Sequence, residues 1–220
     1  MKPAGYFIAG TDTGVGKTWV TCGLIAALQA SGQTAGGMKP VLAGSDGDDV
    51  DEIVAVSRYS SQQPGYCSYR LRDPTAPSIA AEREGIRIDI GAICRDFRIL
   101  SAIQRRTIVE GCGGWLCPLT ETKTMADLAT ALGLPVILVV GLRLGCLNHT
   151  LLSVEAIEKS GLPLAGWVAN HIDAAFSDAA ANVAYLRRHV AAPLLAELPW
   201  APGSPLPAPQ LAPAARLLGD

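Results

Sequence analysis

The sequence has no apolar run of membrane length, no paired-cysteine motif, no histidine cluster and no excess of one charge. The longest apolar run, 134–140, fits a buried strand and falls short of the ~20 residues a spanning helix needs. No signal-peptide apolar region or cleavage site follows the N-terminal lysine, so a cytoplasmic protein is expected. Charged residues make up 17% of the chain and sum to −2, which gives no electrostatic reason to expect nucleic acid. The six cysteines, at 22, 67, 94, 112, 117 and 146, include no Cys-x-x-Cys pair. Free thiols are expected, rather than a disulfide framework or a zinc site. Three histidines, at 149, 171 and 189, are too few and too dispersed for a metal triad. There is no internal repeat. What is present is a globular composition, 49% hydrophobic over 220 residues, and one domain spanning 1–220 is expected.

The most informative stretch is Gly10-Thr11-Asp12-Thr13-Gly14-Val15-Gly16-Lys17-Thr18. An apolar run precedes it and a helical segment from Trp19 follows. Strand, Gly-rich loop, Gly-Lys-Thr and helix form the context of a phosphate-binding loop. Glycines let backbone N–H groups converge on phosphate oxygens, and the helix N-terminus adds partial positive charge. Lys17 would reach the outer phosphates, and the Thr18 hydroxyl would ligate Mg²⁺. The motif departs from its common form, which has glycine where Thr11 stands.

Apolar runs alternate with amphipathic segments. Strands are expected at 5–10, 34–38, 106–110, 135–141, 164–170 and 194–198, and helices at 17–30, 49–59, 88–103, 124–132, 147–160 and 178–190. The pattern predicts an α/β fold, a doubly wound and mainly parallel sheet with helices on both faces, like that of phosphate-loop NTPases. Ligands then bind beyond the carboxyl ends of the strands. Residues 42–48 and 61–78 read as loops facing that site. The Pro/Ala-rich tail, 201–220, is expected to be irregular and extended over 201–213.

Lys39 and Pro40 end the second strand; Lys39 either points into the crevice beside the phosphate loop or is a surface lysine. The following loop holds Ser45, Asp46, Asp48, Asp49 and Asp51. It is either a solvated acidic cap for the next helix or a source of cation-binding carboxylates. Glu110 ends a buried strand before a Gly-rich turn, where it either faces a metal or caps the turn. Asn170 ends another strand; its amide suits an adenine edge, and an ordinary turn residue is the alternative.

Taken together, the segments 10–18, GMKPV (37–41), VEGCGGWLCPL (109–119), LPVILVVG (134–141), LGCLNH (144–149), AGWVAN (165–170) and APLLAELPW (192–200) resemble the dethiobiotin synthetase family. The resemblance implies an ATP- and Mg²⁺-dependent ligase that carboxylates 7,8-diaminononanoate with CO₂ and closes the cyclic urea. A carbamate and a carbamic–phosphoric anhydride are the intermediates. By matching position it implies Lys39, Lys17 and Thr13 as catalytic residues and Thr18, Asp51 and Glu110 as the Mg²⁺ ligands. Gly14, Val15, Gly16, Lys17, Thr18 and Trp19, with Glu110, Gly111, Cys112 and Gly113, would line the phosphates. Asn170, His171, Pro199, Trp200 and Ala201 would hold adenine. The position of Ala43 and the turn Gly145-Cys146-Leu147-Asn148, with Tyr185, would contact the diamine. That turn would come from the partner subunit of a homodimer.

The chain departs from the family at Gly14, where glutamate is common, and at Ala43, where a substrate-contacting serine is common. The short spacing from Lys39 to Asp51 leaves Asp48 or Asp49 as alternative metal ligands. The tail lacks an acidic residue near Leu206, so the sequence leaves nucleotide selectivity undetermined. The main rival is an ATPase switch of the chromosome-partitioning kind. Its signature lysine would stand where this chain has Asp12, which weighs against it.

Overall fold

The computed structural model describes residues 5–44, 48–57 and 64–219. Ser45, Asp46 and the side chain of Asp48 lie outside the described residues. In chain order the elements are β1 (Gly5–Gly10), α1 (Lys17–Ala30), β2 (Ala35–Met38), β3 (Val41–Ala43), α2 (Asp48–Ser57), β4 (Tyr69–Leu71), α3 (Pro77–Glu84), α4 (Ile90–Ile103), β5 (Arg106–Glu110), α5 (Met125–Leu132), β6 (Val136–Leu142), α6 (Cys146–Lys159), β7 (Leu164–His171), α7 (Ala179–His189), β8 (Leu194–Leu198) and α8 (Ala208–Gly219).

Side-chain alternation along the strands builds two apolar layers. On β1, Phe7 and Ala9 face one cluster and Tyr6 and Ile8 the other; on β6, Val136, Leu138 and Val140 oppose Ile137 and Val139. The first layer is closed by α4 through α7, with Phe97, Leu128, Ile157 and Leu186. The second is closed by α1 and α8, with Leu24, Leu28, Leu211 and Leu218. Because both faces are covered, the central strands are buried throughout.

The main sheet has six parallel strands in the order β2-β5-β1-β6-β7-β8. The chain moves outward to β2, returns through β5, and crosses β1 to continue with β6. The loop after β1 therefore lies where the strand order reverses, the position at which such sheets bind ligands. Gly37 in β2 lets two helices meet the sheet at close range. A Cβ there would sit 2.4 Å from Ile53 of α2 and 2.8 Å from Ile25 of α1.

Four elements were not foreseen. β3 and β4 are three residues each and pair in parallel as a separate ribbon. The region 61–78, read as loop, contains β4 and the start of α3. The irregular structure expected over 201–213 gives way to α8 from Ala208. Pro209 falls in the first turn, where its missing N–H is no loss. Pro213 lies inside the helix, which is held by Leu211, Ala214, Ala215 and Leu218 packed on the second layer. Tyr6 also donates to the Leu218 carbonyl at 2.9 Å.

Candidate active site

Parallel strands put all six carboxyl ends on one rim. Along it stand Lys39 after β2, Glu110 on β5, the phosphate-type loop after β1, the 143–146 turn after β6, Asn170 and His171 on β7, and the 199–201 segment after β8.

The loop after β1 is held from several sides. The Thr11 N–H donates to the Val139 carbonyl at 3.0 Å. Asp12 accepts the Thr13 N–H at 2.7 Å and pairs with the Arg143 guanidinium. Asn170 donates its amide to the Val15 carbonyl at 2.9 Å from a buried position. Gly16 (φ 88°) caps α1 in the left-handed region, and a Cβ there would lie 2.3 Å from the Asn170 nitrogen. The first turn of α1 has no side-chain cap and no acidic residue, which leaves its N–H groups for an anion. Lys17 curls back to donate to the Asp12 carbonyl at 2.9 Å.

Under the loop lies a charged cluster. Glu110 is 1% exposed and accepts from Lys39 at 2.5 Å and from the Thr18 hydroxyl at 2.9 Å, both on Oε1. Lys39 also pairs with Asp49 at 2.9 Å. The second Glu110 oxygen, Oε2, is buried without a hydrogen-bond partner. Burial pulls the Lys39 ammonium downward, but Glu110 and Asp49 together outweigh it and hold its pKa raised. Burial also lowers Lys17, with Glu110 opposing and Lys39 adding to the fall. Asp49 is held below the carboxylate range despite burial, because Lys39, the Thr18 hydroxyl and Lys17 favour its charge.

These groups open into a cleft of about 700 Å³. Of the residues named from sequence, Thr13, Gly14, Gly16, Lys17, Thr18, Trp19, Lys39, Ala43, Glu110, Cys112 and Gly113 line it. Val15 is buried in the apolar layer behind the loop, and Gly111 packs on Phe7. Asp51 is corrected: its side chain is 79% exposed and pairs at 4.0 Å with Arg70. Asp49, two residues earlier on α2, lines the cleft instead. Asn170 has a further role not read from the sequence: one N–H of its amide braces the loop at Val15, which leaves the second N–H and the oxygen of the amide. His171 pairs with Glu197 at 3.1 Å, Trp200 is half exposed beyond β8, and neither lines the cleft. Gly145, Leu147 and Asn148 open α6 on the same rim outside the cleft, and Cys146 is buried. Tyr185 stacks on His189 at 3.8 Å between ring centroids, on α7. Leu42 and the 74–77 wall line the cleft from the two stretches, 42–48 and 61–78, read as facing the site, and Cys117 lines it too; Glu52 is the lining residue that sequence reading did not single out.

Among the described residues no group of three or more His, Cys, Asp and Glu side chains forms a metal cluster. Two carboxylates and a hydroxyl are nonetheless a hard-oxygen set, and the unpartnered Glu110 oxygen fits a cation that completes its shell with phosphates and water. In the cysteine-bearing wall, the neighbouring Cys117 thiol, aided by Lys39 and Lys17, favours the Cys112 thiolate and lowers its pKa to about 7 against its burial, while Cys117 is raised.

An AAA domain family matches residues 4–206. The ATP-dependent dethiobiotin synthetase BioD of Aromatoleum aromaticum is 46% identical over 210 residues, covering 92% of this chain and 93% of that protein. The protein of the same name from Nitrosospira multiformis is 47% identical over 199 residues, covering 89% and 88%. Among solved structures, a ParA family ATPase from Chlorobium tepidum aligns with a TM-score of 0.60 at 12% identity, over 97% of this chain and 99% of that one. The Pyrococcus furiosus cell division ATPase MinD aligns at 0.57 and 18% identity, over 98% of each chain. These two likenesses concern the fold alone. The close relatives decide between the readings: the chain belongs to the ATP-dependent dethiobiotin synthetase family.

Proposed function

We propose that this chain catalyses ATP-dependent carboxylation and ring closure of 7,8-diaminononanoate to dethiobiotin, as one domain that works in a homodimer. The observation that carries the reading is the Glu110 carboxylate, shared by Lys39 and Thr18 beneath an anion-receiving loop, with one oxygen still unpartnered. One amine of the diamine takes up CO₂ and loses a proton to give the carbamate. The carbamate oxygen attacks the γ-phosphorus, the bond to ADP breaks, and a carbamic–phosphoric anhydride forms. The second amine attacks the carbonyl carbon, expels phosphate and closes the urea.

The protein's part is positioning and charge neutralisation. The N–H groups from Gly14 to Thr18 receive the phosphates. Lys17 leaves the Asp12 carbonyl for the outer phosphates, which repay the burial of its charge. Lys39, fixed between Glu110 and Asp49, presents its ammonium to the carbamate and the transferring phosphoryl group, and Thr13 faces the same atoms. Thr18, Glu110 and Asp49 would hold Mg²⁺, which when bound neutralises phosphate charge. Trp19 and Cys112 with Gly113 wall the phosphates, while His171, Pro199, Trp200 and Ala201, with the free side of Asn170, would hold adenine. Ala43 leaves room for the diamine without a hydroxyl contact. The 145–148 turn and Tyr185 serve the diamine site of a second copy, and the uncapped start of α6 gives its carboxylate a place to dock. We read the enzyme as cytoplasmic; no helix among the described residues is long and apolar enough to cross a membrane.

Purified protein incubated with the diamine, labelled bicarbonate and a panel of NTPs should release phosphate only when both diamine and bicarbonate are present, and should yield labelled cyclic urea. NTP turnover indifferent to diamine would instead indicate a switch ATPase.

A further inference from the structure

The turn from β5 to α5 carries two thiols that the proposed reaction leaves unused. Cys112 and Cys117 are free and partly exposed, both line the cleft, and the Cys117 sulfur lies against Gly113, the residue that follows Cys112. The backbone around them is anchored at its edges. Gly111 N–H donates to the Ile8 carbonyl at 3.0 Å, Cys117 N–H to the Gly114 carbonyl at 3.1 Å, and Met125 N–H to the Cys117 carbonyl at 2.9 Å. Between them Gly113 takes φ 64°, and a Cβ on it would lie 2.8 Å from the Cys117 sulfur and 3.8 Å from the Thr13 hydroxyl. Gly114 abuts the carbonyls of Gly10 and Thr11. The thiol pair and the phosphate loop thus share one wall.

We infer that Cys112 and Cys117 form a reversible oxidation site through which hydroperoxides shut the cleft down. One thiol attacks a peroxide oxygen; the O–O bond breaks, and a sulfenic acid and an alcohol or water form. The second thiol attacks the sulfenic sulfur, water leaves, and a disulfide remains; the two sulfurs lose two electrons and the peroxide gains them. A disulfide bond of about 2.05 Å is much shorter than any contact between free thiols. With the edges anchored, closure falls on Gly113 and Gly114 and shifts the wall against Thr13. Inhibition by this route rests on the cleft being the synthetase site; formation of the disulfide does not.

The test treats purified protein with hydrogen peroxide. Both cysteines lie in the single tryptic peptide 107–123, which should become lighter by two hydrogen masses and return on adding dithiothreitol. Over the same interval dethiobiotin formation should fall roughly tenfold or more and recover with the thiol, as expected for a small misplacement at a reacting centre. Cys117→Ser, compared with its own untreated rate, should lose the recoverable part of the inhibition. No mass loss in that peptide, or equal recoverable inhibition in Cys117→Ser, overturns the proposal. Disulfide formation with undiminished synthesis overturns the regulatory role. A reduced enzyme that makes no dethiobiotin defeats the functional reading, while the peptide mass still reports on the thiol pair.

Discussion

On the β2–β5–β1 side of the rim, Lys39 and Glu110 are buried and bonded across the sequence, to each other and to the half-buried Asp49 and Thr18. On the β6–β7–β8 side, Asn170 and Cys146 are buried, and Asn170 braces Val15, but the other residues assigned to adenine and diamine are exposed or half-buried. The pairings of His171 with Glu197 and of Tyr185 with His189 join neighbouring strands or turns of one helix. In the proposed reaction the first side would stabilise charge that develops, which works only if the groups are fixed beforehand. The second would grip parts of ligands that do not react, and would order on binding. The contrast predicts that substitutions on the first side damage folding and turnover together, while those on the second, the loop-bracing Asn170 apart, affect ligand binding alone.

The largest effect should come from Lys39→Ala. Its partner Glu110 is left as a buried carboxylate without compensation, a loss of roughly 3–5 kcal/mol in stability. Turnover should fall by about 10²–10³ or more, because a transition-state cation is gone. Urea unfolding and the product assay read the two effects separately. Adding Glu110→Gln to Lys39→Ala should restore much of the stability and none of the activity. An unfolding midpoint unchanged by Lys39→Ala would show that the cluster is not a desolvated unit.

Glu110→Gln alone keeps the shape and removes the charge. The Mg²⁺ concentration for half-maximal activity should rise by roughly 10- to 100-fold. An unchanged Mg²⁺ requirement would move the metal to other ligands. Asn170→Ala comes next. It leaves the Val15 carbonyl buried without its donor, which costs about 1–3 kcal/mol, and loosens the phosphate loop. Weaker binding of inorganic triphosphate as well as of ATP would show that the residue acts through the loop; a loss confined to the nucleotide would restore it to the base.

The parts legible in the sequence were those with a strong local signal. β1, β5, β8 and α1 have the limits expected of them, because the mainly apolar strands end at Gly10, at Glu110 and before Pro199, and α1 starts inside the phosphate-loop motif. The loop, Lys39 and Glu110 were visible because strand ends announce themselves. β3 and β4 are too short for a period-two pattern to register, and α8 was hidden by prolines that long-range packing on α1 tolerates. The choice of Asp49 over Asp51 depends on helix phase. Val50, Ile53 and Ser57 face inward, which turns Asp51 and Ala55 outward and leaves Asp49 beside the cleft. That phase was readable in principle from the apolar spacing on α2, whereas the bracing role of Asn170 was not. It arises from β7 and the loop after β1, which are 155 positions apart in the chain.

The smallest effects fall to a matched pair of acids, one from each side. Asp49 holds a lowered pKa in the folded protein, so the unfolded chain takes up its proton more readily and acid favours unfolding. Its contribution is complete above the ordinary value of 3.8 and drains away as the pH falls toward the lower folded value. Asp49→Asn should therefore flatten the acid limb of the stability curve, by an amount reduced because its side chain is 43% exposed. Glu197→Gln breaks an exposed pair with His171 and should change stability by no more than about 0–1 kcal/mol, and less as salt is added. Thermal unfolding followed from neutral pH into acid, at low and high salt, separates the two. If Glu197→Gln steepened or flattened the acid limb as much as Asp49→Asn, the two sides of the rim would be electrostatically alike, and preorganisation would cease to distinguish the reacting half from the gripping half.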